Sequence, residues 1–145
     1  MSAAPVRTAA TAGRDAVRDR LWQAGRAGGE DTASAVALAT LRDGTGVEAV
    51  PLDPIAPVQA RVVTEWAAGR LTVARERAAT AVHDRVIAAL AHRPGHRGEP
   101  PVRACVVVAC VNGERHTLPA RLFAEVLRLR GRRVDFLGAR VRPCT

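Results

Sequence analysis

Four residues of this 145-residue chain stand at spacings that suit ligand binding: Trp66, Glu76, Glu114 and His116. Glu114 and His116 close the segment Val111-Asn112-Gly113-Glu114-Arg115-His116, where Gly113 lets the backbone turn sharply. A carboxylate beside an imidazole is what a metal-bound histidine requires, because one ring nitrogen ligates while the other donates to the carboxylate. The plainer alternative is a solvated or helix-capping pair. Nine residues separate Trp66 from Glu76, across the turn between two helices. That spacing puts an aromatic plate and a carboxylate at one end of a helical bundle, with room for a large planar ligand between them and the Glu114–His116 loop. Alternatively, Trp66 seals the bundle core and Glu76 favours a first helical turn through the helix dipole. No nucleophile, base and orienting group stand together, so the pattern is that of a binding module rather than an enzyme.

Four helices must position the upper pair. Residues 6–24 carry Val6, Ala10, Val17 and Leu21 at helical spacing, and Gly25 to Gly29 break the pattern. Asp31 or Thr32 caps a second helix with Val36, Leu38 and Leu41, ending at Gly44. Asp53-Pro54 starts a third, which carries Ile55, Val58, Val62 and Trp66 and stops at Gly69. Thr72 caps the fourth, whose apolar stripe is Ala78, Val82, Val86, Ala89 and Leu90. Short connections and Ala-rich faces predict a four-helix bundle over residues 1–93.

The period then changes. Residues 94–101 read as a linker rich in proline and glycine, and Val102 to Ala109 as a β-branched strand buried on both faces. Leu118 to Leu129 forms a helix with Pro119 near its start and Gly131 past its end, and Val134 to Leu137 a second strand. This strand–helix–strand order predicts a parallel βαβ unit over residues 102–145. The expected fold class is thus α/β with an all-α N-terminal part. A two-stranded parallel sheet does not stand alone, so the bundle, a second copy of the chain or a partner protein is expected to cover its edge.

Composition narrows the function. Apolar residues make up 48% of the chain, enough for a core, and no run reaches the roughly 20 apolar residues of a membrane span. The N-terminus lacks a secretory pattern, which reads as cytoplasmic. The net charge of +8 comes entirely from arginine on the basic side and is concentrated in residues 102–145. A basic surface suits phosphates or nucleic acid, yet four aromatic residues are too few for base stacking, so nucleic acid is not the expected partner. Cys105, Cys110 and Cys144 have no metal-binding spacing, and the first two read as buried thiols. His83, His92 and His96 read as bland, and Arg128, Arg130, Arg132 and Arg133 as a solvated helix end.

The stretch from Glu65-Trp66 through Glu76-Arg77 to Thr80 resembles the helical cap of cobalamin-binding modules, found in corrinoid methyl carriers, methionine synthase and MerR-type light-sensing regulators. The segment Asn112-Gly113-Glu114-Arg115-His116-Thr117-Leu118-Pro119 is similar to the same family's acidic-x-His-x-x-Gly loop. The resemblance covers about residues 30–140 in order. It implies cobalamin as cofactor and His116 as the lower axial ligand of cobalt. It further implies that Glu114 orients that ligand, while Trp66 and Glu76 line the upper face of the corrin. It also implies a carrier or sensor role, including transcriptional regulation or methyl carriage beside a methyltransferase. Three departures stand out. Arg77 occupies the position where the light sensors have histidine, and a guanidinium stays protonated and cannot ligate cobalt. Pro119 replaces the loop glycine. Of roughly five strands expected in the α/β half, the sequence carries two, which reads as an incomplete Rossmann-like unit truncated at the C-terminus. The rival readings are a remnant or protein-interaction module that binds no cofactor and, behind it, a basic nucleic-acid-binding protein.

Overall fold

The computed structural model of the chain describes residues 9–43, 46, 49–92, 105–111, 113, 114 and 116–139. Four helices come first: α1 (Ala9–Ala27), α2 (Glu30–Arg42), α3 (Ala56–Ala67) and α4 (Val73–Ala91). A π-helical turn, Pro51–Ile55, runs directly into α3. The βαβ unit follows as β1 (Cys105–Ala109), α5 (Leu118–Leu129) and β2 (Arg133–Gly138). An all-α part followed by an incomplete Rossmann-like unit is the architecture expected from the sequence. The expected linker, residues 94–101, lies outside the described residues.

Helix ends differ from expectation for local reasons. Helix α1 runs through Gly25 and ends at Gly28, whose φ of +70° only glycine adopts without strain. Neither Asp31 nor Thr32 caps α2. Gly29 is its N-cap, and Glu30 and Asp31 instead favour its first turn through the dipole. Thr72 does cap α4, accepting the Arg75 backbone N–H at 3.3 Å.

Asp53-Pro54 is not a helix start, since the helical backbone already includes Val50. Pro54 has no N–H to offer the carbonyl four residues back, and the chain widens to a π turn in which the Ala56 N–H reaches Pro51 O. The carbonyl of Asp53 would ordinarily pair with residue 57, which is also proline. Arg18 of α1 supplies the missing donor: its Nε donates to Asp53 O at 3.0 Å, and its guanidinium pairs with the Asp53 carboxylate. Two prolines that would otherwise leave orphaned carbonyls thereby become a clamp between α1 and the start of α3.

One core runs through the molecule. Leu21, Val36, Val50, Ile55, Val62 and Val86 are buried in it from the bundle, and Leu118 and Leu122 of α5 enter the same cluster. The buried face of α4 is Glu76, Ala79, Val82, His83, Val86, Ile87 and Leu90. Ala78 and Ala89, expected in that stripe, are exposed. The stripe is rotated because two polar residues, Glu76 and His83, occupy core-facing positions, where Glu76 Oε1 and His83 Nδ1 find partners.

In the βαβ unit β1 and β2 pair in parallel, with Val106 opposite Val134 and Val108 opposite Phe136. Helix α5 covers the face that carries Val134, and Arg128 ties its end to β2 by donating from NH2 to Val134 O at 2.8 Å while pairing with Glu125. Arg128 is therefore not part of a solvated helix end, although Arg130, Arg132 and Arg133 are exposed as expected. Strand β1 is not buried on both faces: Val107 is 60% exposed, as is Leu137 at 52% on β2. Cys105 is exposed and Cys110 half-buried, so the expectation of buried thiols fails with it. A β-branched run specifies a strand but not what lies over it.

His83 is fully buried, and its Nδ1 lies 2.7 Å from Gln59 Oε1 on α3. Burial disfavours the imidazolium and pushes its pKa down to about 4, against 6.5 for a free histidine. The unfolded chain then binds more protons between those values, so the stability due to neutral His83 is complete above pH 6.5 and lost as pH falls toward 4. Urea unfolding between pH 7 and 4.5 is expected to show a steeper loss of stability in the parent than in His83→Asn. In the same assay Leu118→Ala, which empties the place where α5 joins the bundle core, is expected to cost about 2–5 kcal/mol.

Candidate functional site

The turn between α3 and α4 places the first pair of candidate residues. Gly69, at φ +72°, ends α3, and the backbone N–H groups of Arg70 and Leu71 both donate to Glu65 O, at 2.8 and 3.2 Å. The Arg70 guanidinium forks onto the Glu65 carboxylate at 2.7 and 2.9 Å, and these hydrogen bonds hold that carboxyl below the usual range. Trp66 stands in the last turn of α3 and Glu76 in the first turn of α4, on either side of this locked corner.

The loop from β1 to α5 places the second pair. Gly113 turns at φ +89°. Oε1 of Glu114 then accepts two hydrogen bonds, from the His116 backbone N–H at 2.7 Å and from His116 Nδ1 at 3.1 Å. A carboxylate only accepts, so Nδ1 carries the hydrogen and the lone pair of the neutral ring is on Nε2. Nε2 has no hydrogen-bond partner among the described residues. Asn112 and Arg115 of this loop lie outside them.

All four residues line one cleft of about 780 Å³ between the bundle and the βαβ unit. The Trp66 and His116 rings touch at one end of it, with centroids 5.9 Å apart and planes tilted by 56°. Glu76 is nearly buried and accepts from Thr80 Oγ1 at 3.0 Å. Trp66 is half-buried and packs against the core as well as the cleft, so its sealing and lining roles coexist.

The cleft holds more than the sequence singled out. Thr80 and Asp84 line it at four and eight residues beyond Glu76, the repeat of one helix face. That periodicity was the available signal for both. From α5, Arg121 closes the opposite wall and donates from NH1 to Asp84 Oδ2 at 3.1 Å, linking the two halves. No sequence signal ties residue 84 to residue 121. Arg77 is exposed at the rim with no charged partner among the described residues. Three carboxylates (Glu76, Asp84, Glu114) and two guanidinium groups (Arg77, Arg121) therefore surround an aromatic plate and an imidazole. Among the described residues no three His, Cys, Asp or Glu side chains gather around a common point. His92 bonds its own helix end, Nδ1 to Ala88 O at 2.7 Å, and His96 lies outside the described residues.

No helix among the described residues is long and apolar enough to cross a membrane. No curated protein matches the chain. Residues 17–91 match the family model of the B12 binding domain, a span that runs from within α1 to the end of α4 and so takes in Trp66 and Glu76 but not the Glu114–His116 loop. With more than half its length so matched, the chain belongs to the B12 binding domain family, and it is a cofactor-binding module for cobalamin.

Proposed function

We propose that this module is a corrinoid carrier or sensor in which His116 ligates cobalt from below and Glu114 orients the imidazole. Trp66 and Glu76 line the opposite face of the corrin. The observation that supports this reading is that the Glu114–His116 pair and Trp66 meet at a single cleft, with Nδ1 engaged by the carboxylate and Nε2 without a protein partner among the described residues. The donor set fits the cofactor: a neutral imidazole oriented through its far nitrogen is a good ligand for a transition metal, and the tryptophan ring suits a broad planar macrocycle. Bound cobalamin supplies the redox and organometallic chemistry of its cobalt.

The protein's own residues bind, orient and shield. Glu114 selects the tautomer of His116 and holds its ring against rotation. Trp66 presents apolar surface that excludes water from that side of the cleft. Arg77 would offer bound cobalamin a guanidinium that stays protonated and so cannot ligate a metal. This favours a carrier, or a sensor that does not work by histidine exchange at that position. A carrier needs a partner that holds the substrate, and the exposed Val107 and Leu137 face offers a second copy or a partner protein a place to sit.

Incubation with hydroxocobalamin followed by desalting is expected to leave corrin absorption bands on the parent protein. His116→Ala is expected to lose retention or to shift the visible spectrum; an identical spectrum and retention in the variant would remove His116 as ligand. A parent protein that elutes colourless with hydroxo-, methyl- and adenosylcobalamin would overturn the reading as a whole. Trp66→Ala is expected to weaken hydroxocobalamin binding by about tenfold, the ~1.4 kcal/mol of a lost aromatic contact, as read by equilibrium titration.

A further inference from the structure

Glu76 is the cleft end of a chain of hydrogen bonds that passes into the middle of the bundle. Thr80 Oγ1 donates to Glu76 Oε1 at 3.0 Å, Gln59 Nε2 donates to Thr80 Oγ1 at 2.8 Å, and Gln59 Oε1 lies 2.7 Å from His83 Nδ1. Glu76, Thr80 and His83 follow one face of α4, and Gln59 reaches across from α3. Gln59, Glu76 and His83 are all buried.

The direction of every bond is determined by what each group can do. An amide nitrogen only donates, so Thr80 Oγ1 accepts from Gln59 and its single hydrogen is left for Glu76. An amide oxygen only accepts, so His83 must carry its hydrogen on Nδ1. Turning the Gln59 amide over would set its oxygen and the Glu76 carboxylate to compete for one hydroxyl hydrogen and leave one of them unmatched. The donors therefore all point from the core to the cleft. His83 Nε2 is buried with no partner, so protonating the ring would leave a buried N–H without an acceptor. The low pKa of His83 agrees with a ring that stays neutral. Burying a four-membered polar chain in an apolar bundle costs stability unless each member is matched, and nothing in bundle packing requires polar groups at these positions.

We propose that Gln59, Thr80 and His83 are positioning residues that hold Glu76 Oε1 as an acceptor and turn its second oxygen, Oε2, to the cofactor. The proposal rests on the reading that Glu76 faces cobalamin. Oε2 has no partner among the described residues, while the chain occupies Oε1. Neither Gln59 nor His83 lines the cleft, so both act through Thr80 and Glu76 alone.

Two sets of measurements test it on the full chain. In the ligand-free protein, ¹⁵N shifts of the His83 ring are expected to report the Nδ1–H tautomer and three-bond couplings a single Thr80 χ1 rotamer. Gln59→Leu is expected to abolish both, and His83→Asn, which keeps a donor toward Gln59, to preserve the Thr80 rotamer where His83→Leu does not. An Nε2–H tautomer in the parent, or an unchanged Thr80 in Gln59→Leu, would overturn the chain. In the second set, hydroxocobalamin is titrated into each variant. Gln59→Leu and His83→Leu are expected to bind about three- to tenfold more weakly and to shift the pH of the aquo-to-hydroxo colour change in the same direction as Glu76→Gln, with His83→Asn restoring parental values. Parental affinity and colour change in Gln59→Leu and His83→Leu would overturn the positioning role and leave the cobalamin reading standing. Failure of the parent to bind any cobalamin would overturn that reading, and the proposal with it, while the tautomer measurement still decides whether the donor chain exists.

Discussion

The burial of Leu118 and Leu122 in the core of the helical bundle is the contact on which the rest depends. A two-stranded parallel sheet with one helix cannot sustain a core of its own. By sharing the core of the bundle, α5 makes the βαβ unit part of a larger packed body, and it fixes the first turn of α5 against α4. The cleft is the open side of that junction. Its upper wall is the corner between α3 and α4, its lower wall the loop that leads into α5, and the Asp84–Arg121 pair bridges the two.

Polar groups in this protein are spent where the chain would otherwise leave gaps. Arg18 answers a carbonyl that Pro57 cannot serve, Arg70 ties the corner beside Trp66, and Arg128 serves a strand carbonyl at the far end of α5. A composition whose only strong base is arginine looks like a binding surface when counted along the sequence. In the folded chain several of those guanidinium groups are internal fasteners, suited to the work by planar, many-donor geometry. Net charge alone is thus a poor guide to an anionic partner here.

What could be read from the sequence was local and periodic. The bundle, the parallel unit and the Thr72 cap follow from apolar spacing and turn residues, and the short turn that Trp66 and Glu76 flank is enough to predict that they lie at one end of the bundle. The Glu114–His116 hydrogen bond is legible because a carboxylate two residues from an imidazole is intelligible as a pair. Three things were not legible. Val82, Val86 and Leu90 of the expected α4 stripe are buried but Ala78 and Ala89 are not, because Glu76 and His83 take core-facing positions that a reading by hydrophobicity passes over. The start of α3 was misplaced because proline usually opens helices, whereas here a π turn carries two prolines past that point. The exposure of β1 was missed because strand composition reports a preference for extended backbone, while burial depends on what the topology stacks above it.

His116 stands two residues ahead of Leu118, which is fully buried. The imidazole is therefore on a short leash, since Thr117 is all that separates it from a side chain anchored in the core. Withdrawing the histidine by any large distance would mean uprooting that anchor. Trp66, in the last turn of α3, packs against the core on one side and meets the histidine ring on the other. The place of the histidine in the cleft is thus set by how α5 seats in the bundle core, as that of Trp66 is set by the hydrogen-bonded corner between α3 and α4.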